Sequence, residues 1–174
     1  MRVAILGHSQ VKYLNFRTAD LGIKKFYKSS ATFVSIRETN QFQELVQYKP
    51  NLIFLLLGSN DITENVNISK IVENYINLKE EITSKIEPVQ GIYLLDIEKR
   101  TRNNRYVNYS TYRKVRNALI KKIKKFDKPN FIPYKPVSGL LDSNIGPDGV
   151  HVNPEGAKKI AETIEEKVRE ILRA

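Results

Sequence analysis

The fold that this sequence predicts is decided near its start, by the stretch Val3-Ala4-Ile5-Leu6-Gly7-His8-Ser9-Gln10. Its apolar part is short and continuous, which is typical of a buried strand, and it ends abruptly at a glycine. The apolar positions of residues 11–21 then favour a first helix. A strand, a turn that carries a serine and a helix, in this order, indicate the first unit of a parallel α/β sheet.

Four further segments have the composition of strands. Residues 52–57 form a continuous apolar run, which is typical of a central parallel strand covered on both faces. Residues 31–36 alternate and are rich in β-branched and aromatic side chains, so they are predicted as the second strand. Residues 91–95 and 130–134 are predicted as the fourth and fifth strands, and a proline in the last one favours a sheet edge.

Helical patterns alternate with these strands. We predict helices over residues 40–48, 67–86, 112–126 and 154–172, with prolines at 50 and 88 ending the first two. The sum is an α/β fold, a three-layer αβα sandwich with a five-stranded parallel sheet in the flavodoxin-like order 2-1-3-4-5. We expect a single domain over residues 1–174.

The composition excludes several kinds of site. The chain has no Cys, so disulfides, zinc–thiolate sites and a cysteine nucleophile are excluded. With two His, a dedicated transition-metal site is not expected, and no cofactor is expected either. No signal peptide is recognised, and the longest apolar run falls far short of the roughly 20 residues of a transmembrane segment. We therefore expect a cytoplasmic protein, whose oligomeric state and possible longer parent protein stay open.

Polar stretches follow the carboxyl ends of three predicted strands. They are Gly7-His8-Ser9, Gly58-Ser59-Asn60-Asp61 and Asp148-Gly149-Val150-His151. Because ligands of parallel α/β sheets bind beyond the carboxyl ends of the strands, we expect all three stretches to lie along one edge.

These stretches together contain the groups that a serine nucleophile needs. A serine hydroxyl reacts only when a base takes its proton, and the base needs an acid to orient it. His8 is adjacent to Ser9 along the backbone, which points the two side chains apart, so His151 is the better base. Asp148 can turn back across a flexible glycine to orient it. The Ser9 backbone N–H and the Asn60 side chain could stabilise the oxyanion.

The same residues resemble the SGNH, or GDSL-type, hydrolases. Their first block carries serine in a Gly-Asp-Ser pattern, their third reads Gly-x-Asn-Asp, and their fifth reads Asp-x-x-His. The resemblance covers nearly the whole chain and implies an αβα esterase fold. It also implies Ser9 as nucleophile, His151 as base, Asp148 as its partner and Asn60 as an oxyanion donor. The substrate would be a small ester, with a small acyl group because no lid insertion is visible.

Two positions depart from the family pattern. His8 stands where relatives have Asp, and it is interpreted as a pocket-wall or packing residue. In the second block, Lys28-Ser29-Ser30-Ala31-Thr32, Ser30 stands where relatives have a glycine whose N–H completes the oxyanion hole. The backbone donor survives this replacement, but a glycine-only backbone conformation would not, which puts this part of the site in question.

Residues 99–128 contain twelve Lys or Arg and one acid, a net charge of +11, whereas the whole chain carries +10. With Tyr106, Tyr109 and Tyr112 between them, these bases could contact a nucleic acid or another anionic surface, or they could be the solvated face of a helix. The candidate polyanion-binding residues are Arg113, Lys121, Lys122, Lys124 and Lys125. Several local patterns also resemble the esterase domains in first-reading-frame proteins of LINE-type retrotransposons, which act alongside nucleic acid.

Each motif also has a structural interpretation. Ser9 could cap a helix, Asn60 could form a turn, and Asp148 with His151 could form a loop hydrogen bond. Two hypotheses follow from the sequence. The chain is an ester hydrolase that acts through an acyl-enzyme, or it is a nucleic-acid-associated domain with a vestigial or secondary hydrolase site.

Overall fold

Five parallel strands form one sheet in the computed structural model, which describes residues 1–64, 67–102, 108–134 and 142–174. They are β1 (Val3–Gly7), β2 (Ile23–Tyr27), β3 (Leu52–Leu56), β4 (Gly91–Leu95) and β5 (Phe131–Ile132). Their order is β2-β1-β3-β4-β5, which confirms the predicted order. The central strands β1 and β3 are buried along their whole length, as their continuous apolar sequences require.

Helices cover both faces of this sheet, so the three-layer architecture is confirmed. They are α1 (Asn40–Tyr48), α2 (Ser59–Thr63), α3 (Ile68–Lys85), α4 (Tyr109–Asp127) and α5 (Pro154–Arg173). One core packs α1, α3 and α4 against the sheet through side chains such as Leu45, Ile82 and Leu119. The other core packs α5 against the opposite face, with Ile160 and Ile164 completely buried.

The second strand was predicted in the wrong place. It is formed by Ile23–Tyr27, whereas residues 31–36 form turns and the start of a short 3₁₀ helix. The cause is that β2 lies at the sheet edge, where Lys24 and Lys25 reach solvent and only Phe26 is buried. The apolar alternation of residues 31–36 comes from loop side chains that fill the core.

The predicted first helix over residues 11–21 is also wrong. The segment contains two short 3₁₀ helices, Ser9–Tyr13 and Ala19–Leu21. Between them, the backbone N–H groups of Arg17 and Thr18 donate to the Glu165 carboxylate of α5, at 2.7 and 3.2 Å. These N–H groups are satisfied by a distant side chain, and a continuous helix would instead pair them with backbone carbonyls.

Gly7 ends β1 at a point where no side chain fits. A Cβ atom there would lie 2.4 Å from the backbone oxygen of Leu56 and 2.7 Å from the Val11 side chain. The glycine thus lets the chain turn closely against β3 and start the 3₁₀ helix that begins at Ser9. In the described part of the chain, no helix has both the length and the apolar character needed to cross a membrane.

Candidate active site

The three polar stretches meet at the carboxyl edge of the sheet, as predicted. Ser9, Asn60 and His151 line one small pocket, together with His8 and Glu98. Ser9 follows β1, Asn60 lies in α2 directly after β3, and His151 lies in the loop before α5. Residues far apart in the sequence are therefore brought to one point by the parallel topology.

Ser9, His151 and Asp148 form a continuous chain of hydrogen bonds. The Ser9 Oγ atom is 3.1 Å from His151 Nε2, and His151 Nδ1 is 2.6 Å from Asp148 Oδ2. We assign the His151 proton to Nδ1, because that nitrogen faces the Asp148 carboxylate, which can only accept a hydrogen bond. Nε2 then presents a lone pair to the serine hydroxyl. This arrangement can move a proton from Ser9 onto His151.

Asp148 is held in its charged form by its own loop. Its Oδ1 atom accepts hydrogen bonds from the backbone N–H groups of Val150 and His151, both at 2.9 Å. Partial burial opposes ionisation, but the His151 ring and these two N–H groups together lower the pKa of Asp148. Gly149 makes the tight turn possible with a φ of 71°.

Gln10 connects the serine loop to the histidine loop, and sequence reasoning missed it. Its side chain donates to the Val150 oxygen at 3.0 Å and accepts from the Val152 N–H at 3.2 Å. The residue is almost completely buried. A glutamine beside the serine is the signal that could have identified it, since a long amide adjacent to a turn often bonds backbone groups.

The oxyanion side of the pocket is built from two loops. Asn60 Nδ2 donates one hydrogen bond to the Ala31 oxygen at 3.1 Å, which fixes the amide and leaves its second N–H available. Ser30, the residue before, has a φ of 61°, in the left-handed region that favours glycine. Ser30 is not among the residues that line the pocket. Within the described residues, no hydrogen bond uses the backbone N–H of Ser9 or Ser30.

Asp61 anchors the start of α2 to the second-block loop. Both of its carboxylate oxygens lie near the Phe33 N–H, at 3.3 and 3.4 Å. The side chain is 1% exposed. Burial is the largest effect on it and raises the pKa of Asp61 to about 7, against the opposing backbone hydrogen bonds. Gly58, with a φ of 115°, makes the turn between β3 and this helix.

His8 lies in the pocket wall, in contact with two buried polar groups. Its Nε2 atom is 3.1 Å from Ser59 Oγ and 3.2 Å from Glu98 Oε1. Burial favours the neutral Glu98 carboxyl, but His8 and Ser59 outweigh it and lower the pKa of Glu98. Glu98 was missed from the sequence because nothing in its neighbourhood distinguishes it. Among the described residues, no cluster of three or more His, Cys, Asp or Glu could hold a metal ion.

The basic segment divides into two groups. Arg113, Lys121 and Lys124 line a cleft together with Tyr109 and Tyr112. Lys122 and Lys125 do not line this cleft, and Lys122 donates to Ser69 Oγ at 2.8 Å. Two residues of the predicted basic and aromatic set, Arg105 and Tyr106, lie outside the described residues. The structure therefore brings together three of the five candidate polyanion-binding residues.

A comparison with known families agrees with the fold. The sequence model of the GDSL-like lipase/acylhydrolase family matches residues 8–159, and the chain therefore belongs to this family. Members of this family are carboxylic ester hydrolases. The match therefore confirms the predicted family and the prediction that the chain is an ester hydrolase. The resemblance to retrotransposon esterase domains stays a prediction. No curated protein sequence matches the chain.

Solved structures share the fold at low sequence identity. A GDSL-like lipase from Bacteroides thetaiotaomicron has a TM-score of 0.73 and 20% identity, over 98% of this chain and 88% of that one. A carbohydrate esterase of family 3 from Talaromyces cellulolyticus has a TM-score of 0.74 and 16% identity, over 99% of this chain and 98% of that one. An acetylxylan esterase from Geobacillus stearothermophilus has a TM-score of 0.68 and 14% identity, over 96% of this chain and 93% of that one.

Proposed function

We propose that this chain hydrolyses esters of small acyl groups, acetate above all, with Ser9 as nucleophile, His151 as base and Asp148 as its orienting acid. The observation that carries the proposal is the continuous relay from Ser9 Oγ through His151 to Asp148, with distances of 3.1 and 2.6 Å. If Ser9 only capped a helix, or if Asp148 and His151 only stabilised a loop, nothing would require the same histidine ring to bond both Ser9 and Asp148.

The reaction proceeds in two halves. Ser9 Oγ attacks the ester carbonyl carbon while its proton passes to His151 Nε2. The intermediate then collapses, the bond to the alcohol oxygen breaks, and His151 returns the proton to the departing alcohol. Water, deprotonated by His151, hydrolyses the acyl-Ser9 ester and releases the carboxylic acid. Asp148 stays ionised throughout and stabilises the imidazolium.

Three donors are assigned to the developing negative charge on the carbonyl oxygen. They are the backbone N–H groups of Ser9 and Ser30 and the second side-chain N–H of Asn60. The hydrogen bond from Asn60 to the Ala31 oxygen supports this assignment, because it fixes the amide before substrate arrives. Donors that are already oriented cost no reorganisation in the transition state, which is why they contribute strongly to rate.

The lining of the pocket favours a small acyl group. The cavity beside Ser9 is walled by polar side chains, including His8, Ser59 and Glu98. These walls offer a long hydrocarbon chain few apolar contacts. Two solved structures that share this fold, an acetylxylan esterase and an acetyl esterase with an acetate ion, support the same acyl group.

Hydrolysis of p-nitrophenyl acetate tests the proposal most directly. We expect turnover by the wild type and its loss in Ser9→Ala and in His151→Ala, since each removes a group that moves in the chemical step. Mass spectrometry of the wild type during turnover should also show acetylated Ser9. Equal rates for wild type and Ser9→Ala, with both acetate and longer acyl esters, would reject the proposed function.

A second candidate function is binding of RNA or single-stranded DNA, favoured by the concentration of positive charge in residues 99–128. It predicts binding that weakens with salt and that Ser9→Ala leaves intact. Electrophoretic mobility shifts with oligouridylate at two salt concentrations measure it. The absence of a shift with wild type at low salt would reject this candidate.

A further inference from the structure

A basic cleft lies beside the candidate active site. Its volume is about 560 Å³, within the usual range of small-molecule sites. Among the described residues, six bases and two acids line it, a formal charge of +4. The bases are Lys99, Arg100, Arg113, Arg116, Lys121 and Lys124, and the acids are Asp96 and Asp142.

The basic cleft adjoins the pocket around Ser9. Lys99 and Arg100 line both spaces, in the loop that follows the carboxyl end of β4. Arg100 is 6% exposed, and its guanidinium lies 5.0 Å from the centre of the Tyr112 ring. These two bases therefore lie between the candidate nucleophile and the basic cleft.

One helix face supplies the far wall of the basic cleft. Arg113, Arg116, Lys121 and Lys124 project from the same side of α4, at helical spacings of three, five and three. The remaining bases of this helix, among them Lys122 and Lys125, lie off the cleft. The helix therefore offers matched residues of the same charge inside and outside the basic cleft.

Little of this positive charge is neutralised by the protein. Arg116 donates to Asp96 at 3.1 Å and to the Ile97 oxygen at 2.6 Å, so it is committed to the fold. Among the described residues, Lys99, Arg113 and Lys121 form no ion pair with a carboxylate. Like charges held close together repel one another, and a bound anion would offset that repulsion.

We propose that the basic cleft binds an anionic alcohol portion of the substrate, so that the enzyme removes small acyl groups from alcohols that carry a carboxylate or a phosphate. This inference rests on the proposed function. A compact cleft that adjoins the pocket of the nucleophile fits one or a few anionic groups on the molecule that carries the ester. A nucleic-acid strand instead needs an extended groove for several nucleotides.

Three acetylated probes of different charge test the proposal. They are an O-acetylated xylo-oligosaccharide, which is neutral, an O-acetylated oligogalacturonate, which carries carboxylates, and O-acetylated glucose 6-phosphate. We expect a higher kcat/KM for at least one anionic probe than for the neutral one, and the comparison of the two anionic probes identifies the preferred group.

Charge reversal locates the effect. In the double variant Arg113→Glu/Lys121→Glu, kcat/KM for the preferred anionic probe should fall about tenfold or more, mainly through KM, because two cations that attract the anion are replaced by anions that repel it. The neutral probe and p-nitrophenyl acetate should keep their rates. The matched control Lys122→Glu/Lys125→Glu, on the same helix but off the cleft, should leave all rates unchanged.

Binding provides a readout independent of turnover. Calorimetry of unacetylated oligogalacturonate and of inorganic phosphate with Ser9→Ala should show salt-dependent binding of at least one, which the cleft double variant removes and the control retains. A wild type that hydrolyses p-nitrophenyl acetate through Ser9 but prefers the neutral probe would overturn this inference and leave the proposed function standing. Cleft-dependent binding of oligouridylate without any preference for anionic esters would overturn it in favour of a nucleic-acid ligand.

Discussion

At the residue scale, the conformation of Ser30 is the most informative departure from the family pattern. The resemblance described from the sequence predicts a glycine at this position, and the structure gives Ser30 a φ of 61°. The left-handed region costs an L-residue roughly 1–2 kcal/mol, which glycine avoids. Serine at this position therefore lowers stability, whereas its backbone N–H is an oxyanion donor only under the proposed function.

The variant Ser30→Gly should therefore stabilise the protein. We expect the free energy of unfolding to rise by up to about 1 kcal/mol, because relief of the strained conformation exceeds the added freedom of the unfolded chain. Urea denaturation measures the change, and esterase activity should persist. Ser29→Gly is the matched control at an exposed neighbour that lacks a positive φ, and a Ser30→Gly protein less stable than this control would contradict the prediction.

At the scale of elements, α2 depends on one buried carboxyl. Asp61 joins the helix that carries Asn60 to the loop that carries Ser30, through the Phe33 N–H. Burial raises its pKa to about 7, Glu64 adds to that effect, and His8 opposes it. The folded protein therefore holds a proton on Asp61 that the unfolded chain loses near pH 4.

This difference sets the sign of a pH effect on stability. The folded state binds more protons than the unfolded state between about pH 4 and 7, so the contribution of Asp61 is greatest below pH 4 and is lost as the pH rises to 7. Asp61→Asn keeps the acceptor for the Phe33 N–H but removes the titration. Relative to wild type, its free energy of unfolding should increase with pH over this window, by up to about 4 kcal/mol.

Thermal unfolding at pH 4.5 and pH 8 measures this change. Asp20→Asn, at an exposed position, controls for the loss of one negative charge. An Asp61→Asn protein whose stability relative to wild type is the same at both pH values would contradict the prediction.

The sequence predicted elements best where burial alone decides them. Residues 52–57 and 91–95 are apolar because strands inside a parallel sheet are covered by helices on both faces. Both segments form strands in the structure. Residues 23–27 were missed because an edge strand tolerates lysines. Residues 31–36 were mistaken for a strand because a loop buries three of their apolar side chains, Ala31, Phe33 and Ile36. In both segments, the secondary structure depends on contacts with distant parts of the chain and not on the local sequence pattern.

The same limit applies to the candidate site. Ser9, Asn60, Asp148 and His151 were identified because their short motifs follow strand ends, and the structure brings them together at one edge. The side chains of Gln10 and Glu98 contact partners about 140 and 90 positions away, so their roles could not be predicted from neighbouring residues in the sequence. The functional roles of all these residues stay predictions, as does a single domain over residues 1–174.

At the scale of the whole molecule, the two cores share one sheet. The core on the α5 side holds Ile160 and Ile164, which are completely buried, and Glu165 of the same helix satisfies the backbone of residues 17 and 18. Loss of packing on this side should therefore weaken both the sheet and the loop beyond Ser9.

Ile164→Ala tests that coupling. We expect a loss of about 2–5 kcal/mol in the free energy of unfolding, the usual effect of truncating a fully buried aliphatic side chain. Denaturation by urea should show it, with one transition for both cores. Leu172→Ala, on the same helix at a position that is 55% exposed, should change stability by much less. Similar losses for the two variants would show that α5 does not contribute to the core as described.

The hydrogen bond between Ser9 and His151 spans 142 positions of the chain. During synthesis on a ribosome, Ser9 emerges long before His151 and the helix that covers the second core. Under the proposed function, a nascent chain that has exposed Ser9 but not His151 lacks the base that activates the serine. Ester hydrolysis would then begin only after α5 has been made and has packed on the sheet, so the activity itself would report that this part of the chain is folded.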